Sequence, residues 1–173
     1  MARRYNAAMP ILDSHSMEFI SRGTEYTRRV GMRLGVLLRT GDVVCLEGDL
    51  GSGKTTFVQG VAAGWGSANP VSSPSFVLVN QYRRPDSTRL FHLDAYRLTG
   101  GKEAEDLDID LMLENGVLII EWADRILDVL PEQHLWVSLR YTDVNQRDLI
   151  FSARGARYDE MLAIFRKRLY GGL

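Results

Sequence analysis

Gly48-Asp49-Leu50-Gly51-Ser52-Gly53-Lys54-Thr55 satisfies the phosphate-binding loop pattern G-x-x-x-x-G-K-[ST] at every fixed position. Its flanks suit the motif. Asp42 to Glu47 reads Asp-Val-Val-Cys-Leu-Glu, a short apolar run fit for a buried parallel strand. Thr55 to Ala63 reads as a helix, and Gly64 suits its C-terminal end. In a strand–loop–helix unit, glycines let the backbone turn its N–H groups toward an anion, and the helix N-terminus adds partial positive charge. The loop residues Asp49, Leu50, Gly51, Ser52 and Gly53, with Lys54, Thr55 and Thr56 at the helix start, then form a nucleotide-phosphate cradle. Lys54 reaches the β- and γ-phosphates, and the Thr55 hydroxyl ligates Mg²⁺. The competing reading is a glycine-rich turn that happens to precede a helix.

The chain has 173 residues, a length suited to one domain with a sizeable core. Apolar residues make up 45% and charged residues 25%, as in an ordinary soluble protein. The net charge of −1 does not mark the chain as a nucleic-acid or membrane-surface binder, so contact with RNA is expected to be local or through a partner. The single cysteine, Cys45, lies in the expected core strand, which fits a reducing compartment and a cytoplasmic location. No apolar run approaches the ~18 residues needed to span a bilayer. Residues 1–16 read as a loose N-terminal segment rather than a signal peptide, and residues 17–173 as a single domain.

Outward from the loop, the pattern alternates strands and helices. Met17 to Ile20 reads as a short strand, and Thr24 as the N-cap of a helix with Tyr26, Val30, Leu34, Leu37 and Leu38 on one face. Thr40-Gly41-Asp42 turns into the loop strand. Val77 to Tyr82 and Arg89 to Ala95 read as two strands of a hairpin, with Pro85 marking the turn. Lys102 to Asp110 reads as one short polar helix. Gly116 to Glu121, Gly-Val-Leu-Ile-Ile-Glu, is an apolar strand closing on a carboxylate, as on the metal side of a P-loop site. Asp124 to Leu130 is a short helix stopped by Pro131. His134 to Tyr141 and Asp148 to Ala153 are further strands, and Tyr158 to Leu169 is a helix. The expected fold class is α/β: a P-loop NTPase-like sandwich, its central sheet mostly parallel, with antiparallel hairpin strands and helices on the faces.

Four blocks carry a family resemblance. The loop with Thr56 and Phe57 is one. Ser73-Pro74-Ser75-Phe76 resembles a Ser-Pro-Thr-Phe/Tyr segment, with Ser75 in place of the usual Thr. His92-Leu93-Asp94-Ala95-Tyr96-Arg97-Leu98 resembles a His-x-Asp-x-Tyr-Arg-Leu segment, and Ile119-Ile120-Glu121-Trp122 a Glu-Trp segment. Together, from about Thr24 to Arg154, they resemble the TsaE family, formerly YjeE, the small ATPases of tRNA threonylcarbamoyladenosine synthesis. The resemblance implies slow hydrolysis of ATP with Mg²⁺. It implies two partners, TsaD and TsaB, and a role in placing threonylcarbamoyl on N6 of adenosine 37 in tRNAs that read ANN codons. TsaD carries the transfer site, so tRNA is met through the complex, and the ATPase is thought to reset that complex. By position, Thr55, Asp94 and Glu121 match the metal-side residues and Trp122 the tryptophan beside the nucleotide. Ser73 to Phe76 sits where a switch-like loop meets the γ-phosphate. The resemblance also places adenine near Thr24 and Arg147.

The same residues make chemical sense unaided. Phosphoryl transfer needs positioning and charge neutralisation more than covalent help. Mg²⁺ takes hard oxygen ligands, few of them from protein, and Thr55 with one or two carboxylates meets that need. Lys54, Glu121 and Asp94 are therefore the catalytic candidates. Glu121 also reads as a helix-capping carboxylate, and Asp94 as a turn residue accepting backbone N–H groups. His92, on an alternating strand, reads as a packed or hydrogen-bonded residue rather than a base. Arg97 and Arg125 have acids and partner surfaces as competing roles and are assigned none in catalysis. Guanine recognition by Asn-Lys-x-Asp is disfavoured, because Lys54, Lys102 and Lys167 are the only lysines and none lies in that context. A small-molecule kinase of P-loop type is the alternative, although the sequence shows no obvious arginine-bearing lid insertion. A non-hydrolysing nucleotide-gated adaptor is a third class.

Overall fold

A computed structural model describes residues 13–72, 78–99 and 101–170. Its seven strands are β1 (Ser16–Ser21), β2 (Val43–Glu47), β3 (Val79–Arg83), β4 (Arg89–Asp94), β5 (Gly116–Glu121), β6 (His134–Asp143) and β7 (Gln146–Arg154). They form one sheet in the order β1-β7-β6-β2-β5-β4-β3. The four central strands, β6, β2, β5 and β4, run parallel. β7 and then β1 extend one edge and β3 the other, each pairing antiparallel with its inner neighbour. The expected mixed sheet is thus present, with its parallel part at the centre. The centre is also the most apolar part: every residue of β5 and the first four of β2 are buried, as strands covered on both faces must be.

Among the described residues five α-helices cover the sheet: α1 (Thr24–Gly35), α2 (Lys54–Trp65), α3 (Gly101–Glu105), α4 (Ile109–Asn115) and α5 (Ala156–Tyr170). A 3-10 helix spans Ala123–Val129 and is kinked at Ile126. Val30, Leu34, Phe57, Val61, Met161 and Phe165 from α1, α2 and α5 fill the core on one face. Ala104, Ile109 and Ile126 pack on the other, against Cys45, Leu118 and Ile120. Burial pushes the Cys45 thiol up to about 12, so it stays protonated in the core. At the end of β2 away from the loop, Arg157 of α5 grips Asp42 with Nε at 3.0 Å and Nη2 at 2.8 Å, and Nη2 also donates to the Leu37 carbonyl. No helix among the described residues is long and apolar enough to cross a membrane.

Three local expectations are corrected. The loop helix does not end at Gly64. It continues to Trp65 and is closed by Gly66 in the left-handed conformation, φ 100°. Gly64 instead lies inside α2, pressed against α1: a Cβ there would sit 1.9 Å from the Met32 carbonyl oxygen. Gly60 meets Arg28 O at 2.0 Å in the same way, and from α1 Gly31 and Gly35 meet Phe57 O and Val61 O at 2.4 and 2.1 Å. Two Gly-x-x-x-Gly pairs therefore let the two helix backbones touch. Thr24 is not a cap but the first residue of α1, with Gly23 before it at φ 141°. The Ser21 hydroxyl holds the entry instead, donating to Gly23 O at 2.9 Å and lying 2.8 Å from Thr27 Oγ1. Last, Lys102 to Asp110 is not one helix. Asp108 adopts φ 52° and separates α3 from α4.

Residues 1–12 of the expected loose segment lie outside the described residues, as does Val77 of the expected hairpin strand. His15 already touches α5, with Nδ1 2.7 Å from Asp159 Oδ1, and Ser16 opens β1.

Candidate functional site

The site forms where the parallel strands end. β2 leads into the loop, and two glycines there are needed for their shape. Gly48 has φ 149°, and a Cβ on it would meet the Leu139 carbonyl oxygen at 2.4 Å. Gly53, φ 102°, is the residue from which α2 starts. Left-handed backbone at these points turns the chain back on itself at little cost only without a side chain. Leu50 stands at the tip, 85% exposed, between the exposed Asp49 and Gly51. Ser52 and Lys54 point inward and are buried, while Thr55 and Thr56 are half-buried on the first turn.

Parallel pairing carries the carboxylates to the loop. Leu46 of β2 pairs with Glu121 of β5, and Asp94 of β4 pairs with the same Glu121. Ligands of open α/β sheets lie beyond such carboxyl ends. Glu121 is 3% exposed. It accepts the Thr55 hydroxyl at 3.2 Å on Oε1 and 3.4 Å on Oε2. Its Oε1 also lies 2.8 Å from Nε2 of the fully buried His92. Glu121 is therefore tied into the loop helix by its side chain. The Asp94 carboxylate accepts the Tyr96 backbone N–H at 2.9 Å. Burial raises its pKa, the Tyr96 bond opposes that, and the charge of Glu121 adds to the rise.

Lys54 lies across this group. Its ammonium donates to the carbonyls of Gly48 and Asp49 and lies 3.4 Å from Ser52 Oγ. It also stands 4.0 Å above the Trp122 ring. Burial lowers the Lys54 pKa, and the charges of Glu121, Asp94, Asp49 and Asp124 pull it back up. Such a cation, surrounded by acids and carbonyls, is available to trade them for phosphate oxygens. Trp122 holds its place with a left-handed backbone, φ 59°. Tyr96 packs on it at 4.9 Å between ring centroids, and the Arg125 guanidinium lies 4.9 Å over Tyr96 and 5.7 Å over Trp122.

On the other side of the loop, β1 pairs with β7 so that Ser21 lies opposite Arg147. This sets Arg147 over the loop of residues 48–55. Its Nε and Cδ come within 3.2 and 3.3 Å of where a Gly53 Cβ would be, and Thr27 Cγ2 within 3.9 Å. Thr24, three residues earlier, is exposed at the start of α1. Glu47, at the end of β2, accepts Trp136 Nε1 and Ser138 Oγ, each at 2.9 Å. With Gly48, Asp49 and Arg140 it borders a cavity of about 380 Å³. A larger recess of about 560 Å³ lies at the opposite end of β6, around His134 and Arg154, away from this chemistry.

Lys54 thus touches Trp122 and Thr55 touches Glu121, and strand register sets Asp94 beside them. Ser73 to Phe76, the switch-like segment, lies outside the described residues. The sequence reading of His92 as hydrogen-bonded was right in kind, but its partner came from a neighbouring strand. Tyr96 and Arg125 around Trp122 were not foreseen as a group. Among the described residues no cluster of three or more His, Cys, Asp or Glu makes a ready metal cage. The Thr55 hydroxyl with Glu121 and Asp94 is instead a sparse, hard-oxygen set, and it fits Mg²⁺ that keeps waters and phosphate oxygens as its remaining ligands.

Comparison with known proteins bears on this geometry. The family model described as "Threonylcarbamoyl adenosine biosynthesis protein TsaE" matches residues 21–149. The protein named tRNA threonylcarbamoyladenosine biosynthesis protein TsaE from Bacillus subtilis is 37% identical over 136 residues, covering 78% of this chain and 84% of that protein. Its namesake from Streptomyces coelicolor is 44% identical over 110 residues, covering 62% and 74%. That from Treponema pallidum is 37% identical, covering 77% of this chain and 98% of its own. The crystal structure of Bacillus subtilis YdiB superimposes with a TM-score of 0.74 at 29% identity, covering 88% of this chain and 95% of that one.

Proposed function

Because the chain belongs to the TsaE family of tRNA threonylcarbamoyladenosine biosynthesis proteins, we propose that it is the Mg²⁺-dependent ATPase of that process. It acts in the cytoplasm with TsaD and TsaB to sustain threonylcarbamoyl transfer to adenosine 37 of tRNAs reading ANN codons. The observation that carries the ATPase reading is the convergence of Lys54, Thr55, Glu121 and Asp94 at the carboxyl end of the parallel strands.

The roles follow from the contacts. The loop amides and the start of α2 bind the phosphates, and Lys54 leaves the carbonyls of Gly48 and Asp49 to neutralise the terminal ones. Thr55 and Glu121, already hydrogen-bonded, supply the metal side with Asp94 behind them. Held by Thr55, Glu121 and Asp94, Mg²⁺ would supply neutralisation of phosphate charge in the transition state. Trp122 walls one side of the phosphate region through its contact with Lys54. Arg147 and the start of α1 border the other and suit the adenosine half of the nucleotide. His92, committed to Glu121, is not a free base for water. The isolated chain is accordingly a slow ATPase, and partners complete the site. A charge-stabilising group supplied in trans is worth about 10³ or more in rate.

The test is threonylcarbamoyl-tRNA synthesis with purified TsaD and TsaB, with and without this chain, alongside single-turnover ATP hydrolysis by the chain alone and in the mixture. Dependence of synthesis on the chain, and faster hydrolysis in the mixture, are expected. Synthesis that proceeds equally without it would remove the proposed role. Phosphorylation of a nucleoside, nucleotide or sugar from a panel would favour the kinase alternative.

A further inference from the structure

We propose that His92 is a positioning residue for Glu121, fixing that carboxylate in the orientation that receives the metal; the proposal rests on the Mg²⁺-ATPase reading above. His92 sits on β4 two residues before Asp94, so the two side chains share a face of the sheet. Its strand partner is Ile119, two residues before Glu121 on β5. The imidazole therefore lies one step beneath the pair of carboxylates, on the face that carries Leu90, Ile119 and α2. Among such neighbours an aliphatic side chain would pack at no cost in unpaired polar atoms. His92 is instead fully buried, and its Nδ1 has no hydrogen-bond partner among the described residues. Among the described residues its one hydrogen bond is Nε2 to Glu121 Oε1 at 2.8 Å.

That bond defines the imidazole. The Glu121 carboxylate accepts, so Nε2 carries a hydrogen directed at Oε1. It also defines the carboxylate. Oε1 is held from the core side by His92 and from the loop side by Thr55, which stops rotation of the carboxylate plane. Oε2 has only the longer 3.4 Å contact with Thr55. It is the oxygen with the weaker hold and so the one left to face an incoming cation, while His92 keeps Oε1 in place from the core side. Partners behind a ligating side chain commonly change metal affinity or activity 10–100-fold when removed.

Three variants of the full chain separate positioning from core filling. His92→Gln places an amide N–H where Nε2 stood, His92→Asn places it short of Glu121, and His92→Leu removes it. The measurements are Mn²⁺ affinity in the presence of ADP by electron paramagnetic resonance, the Mg²⁺ dependence of ATP hydrolysis, ATP affinity in EDTA, and Tm. For His92→Asn and His92→Leu, Mn²⁺ affinity is expected to fall about tenfold or more, with a matching loss in hydrolysis at fixed Mg²⁺. ATP affinity in EDTA should stay within about twofold in both, because phosphate contacts do not run through His92. His92→Gln is expected to recover most of the metal affinity. If His92→Leu does not fold, the Gln and Asn variants, both polar amides, decide the matter between them. Equal Mn²⁺ affinity in wild type and all variants would overturn the proposal while leaving the ATPase reading intact. So would a loss shared equally by Gln and Asn that tracks Tm and the metal-free ATP affinity. A wild-type chain without Mg²⁺-stimulated hydrolysis would overturn both.

Discussion

Substituting Gly64→Ala should separate α1 from α2 and unsettle the phosphate loop with it. A Cβ at Gly64 would stand 1.9 Å from the Met32 carbonyl oxygen, where ordinary contact begins near 3.4 Å. The obstacle is backbone, so no side chain can swing aside, and α1 must withdraw by about 1.5 Å or α2 must bend. A gap of 0.5–1 Å already forfeits a quarter to a half of a dispersion contact. The buried residues Val30, Leu34, Phe57 and Val61 lie around this seam. Overpacking of this kind costs about 1–3 kcal/mol. Alanine returns up to about 1 kcal/mol through its helix propensity. The net loss is about 2 kcal/mol at the upper end of that range, which for a chain of this size lowers Tm by about 4–8 °C. The functional consequence follows from position, because α2 begins at Lys54 and Thr27 of α1 lies beside Gly53. ATP affinity should fall several-fold. Calorimetric melting and titration of the purified variant check both. A Tm equal to or above wild type would show that the helix backbones are not in contact at Gly64, and the account of the glycine seam would be withdrawn.

Three further outcomes are expected. Lys54→Ala should abolish useful ATP binding, since no other lysine is near the loop; wild-type affinity in a calorimetric titration would remove the site assignment. Glu121→Ala should lower Mg²⁺-dependent hydrolysis far more than nucleotide affinity, because a metal-side charge counts most in the transition state; hydrolysis at the wild-type rate would pass the metal role to Asp94. Asp94→Asn should raise the Tm of the nucleotide-free protein at neutral pH. Burial lifts the Asp94 pKa above 3.8, so the folded state holds that proton more tightly than the unfolded one. Stability is then lost as pH rises from 3.8 through the raised value, and the asparagine variant is spared the loss. The gain over wild type should shrink as pH falls toward 3.8, and a gain that grows on acidification would contradict the assignment.

What this chain's sequence determined by itself is what depends on neighbours along the chain. The loop pattern from Gly48 to Thr55, the apolar runs of β2 and β5, and the helical spacing of α5 are local, and all three elements are present. So was the chemistry of a carboxylate closing a buried strand, since Glu121 ends β5 beside the loop. Tertiary structure decided the rest, because the forces involved act between segments distant in sequence. Gly64 looked like a helix end because glycine usually marks one, yet the approach of α1 decided its use. The repeated spacing of Gly31 with Gly35 and Gly60 with Gly64 was the signal that could have revealed it. Arg147 reaches the loop only because β7 pairs with β1 in the register that sets it against Ser21. His92 finds Glu121 only because β4 and β5 are parallel and in step, so that a side chain on one strand lies a pleat below the carboxylate on the next. Propensity and periodicity carry no record of which strands become neighbours. Packing of both faces of the sheet settles that, and it turns a phosphate loop into a site with a held carboxylate.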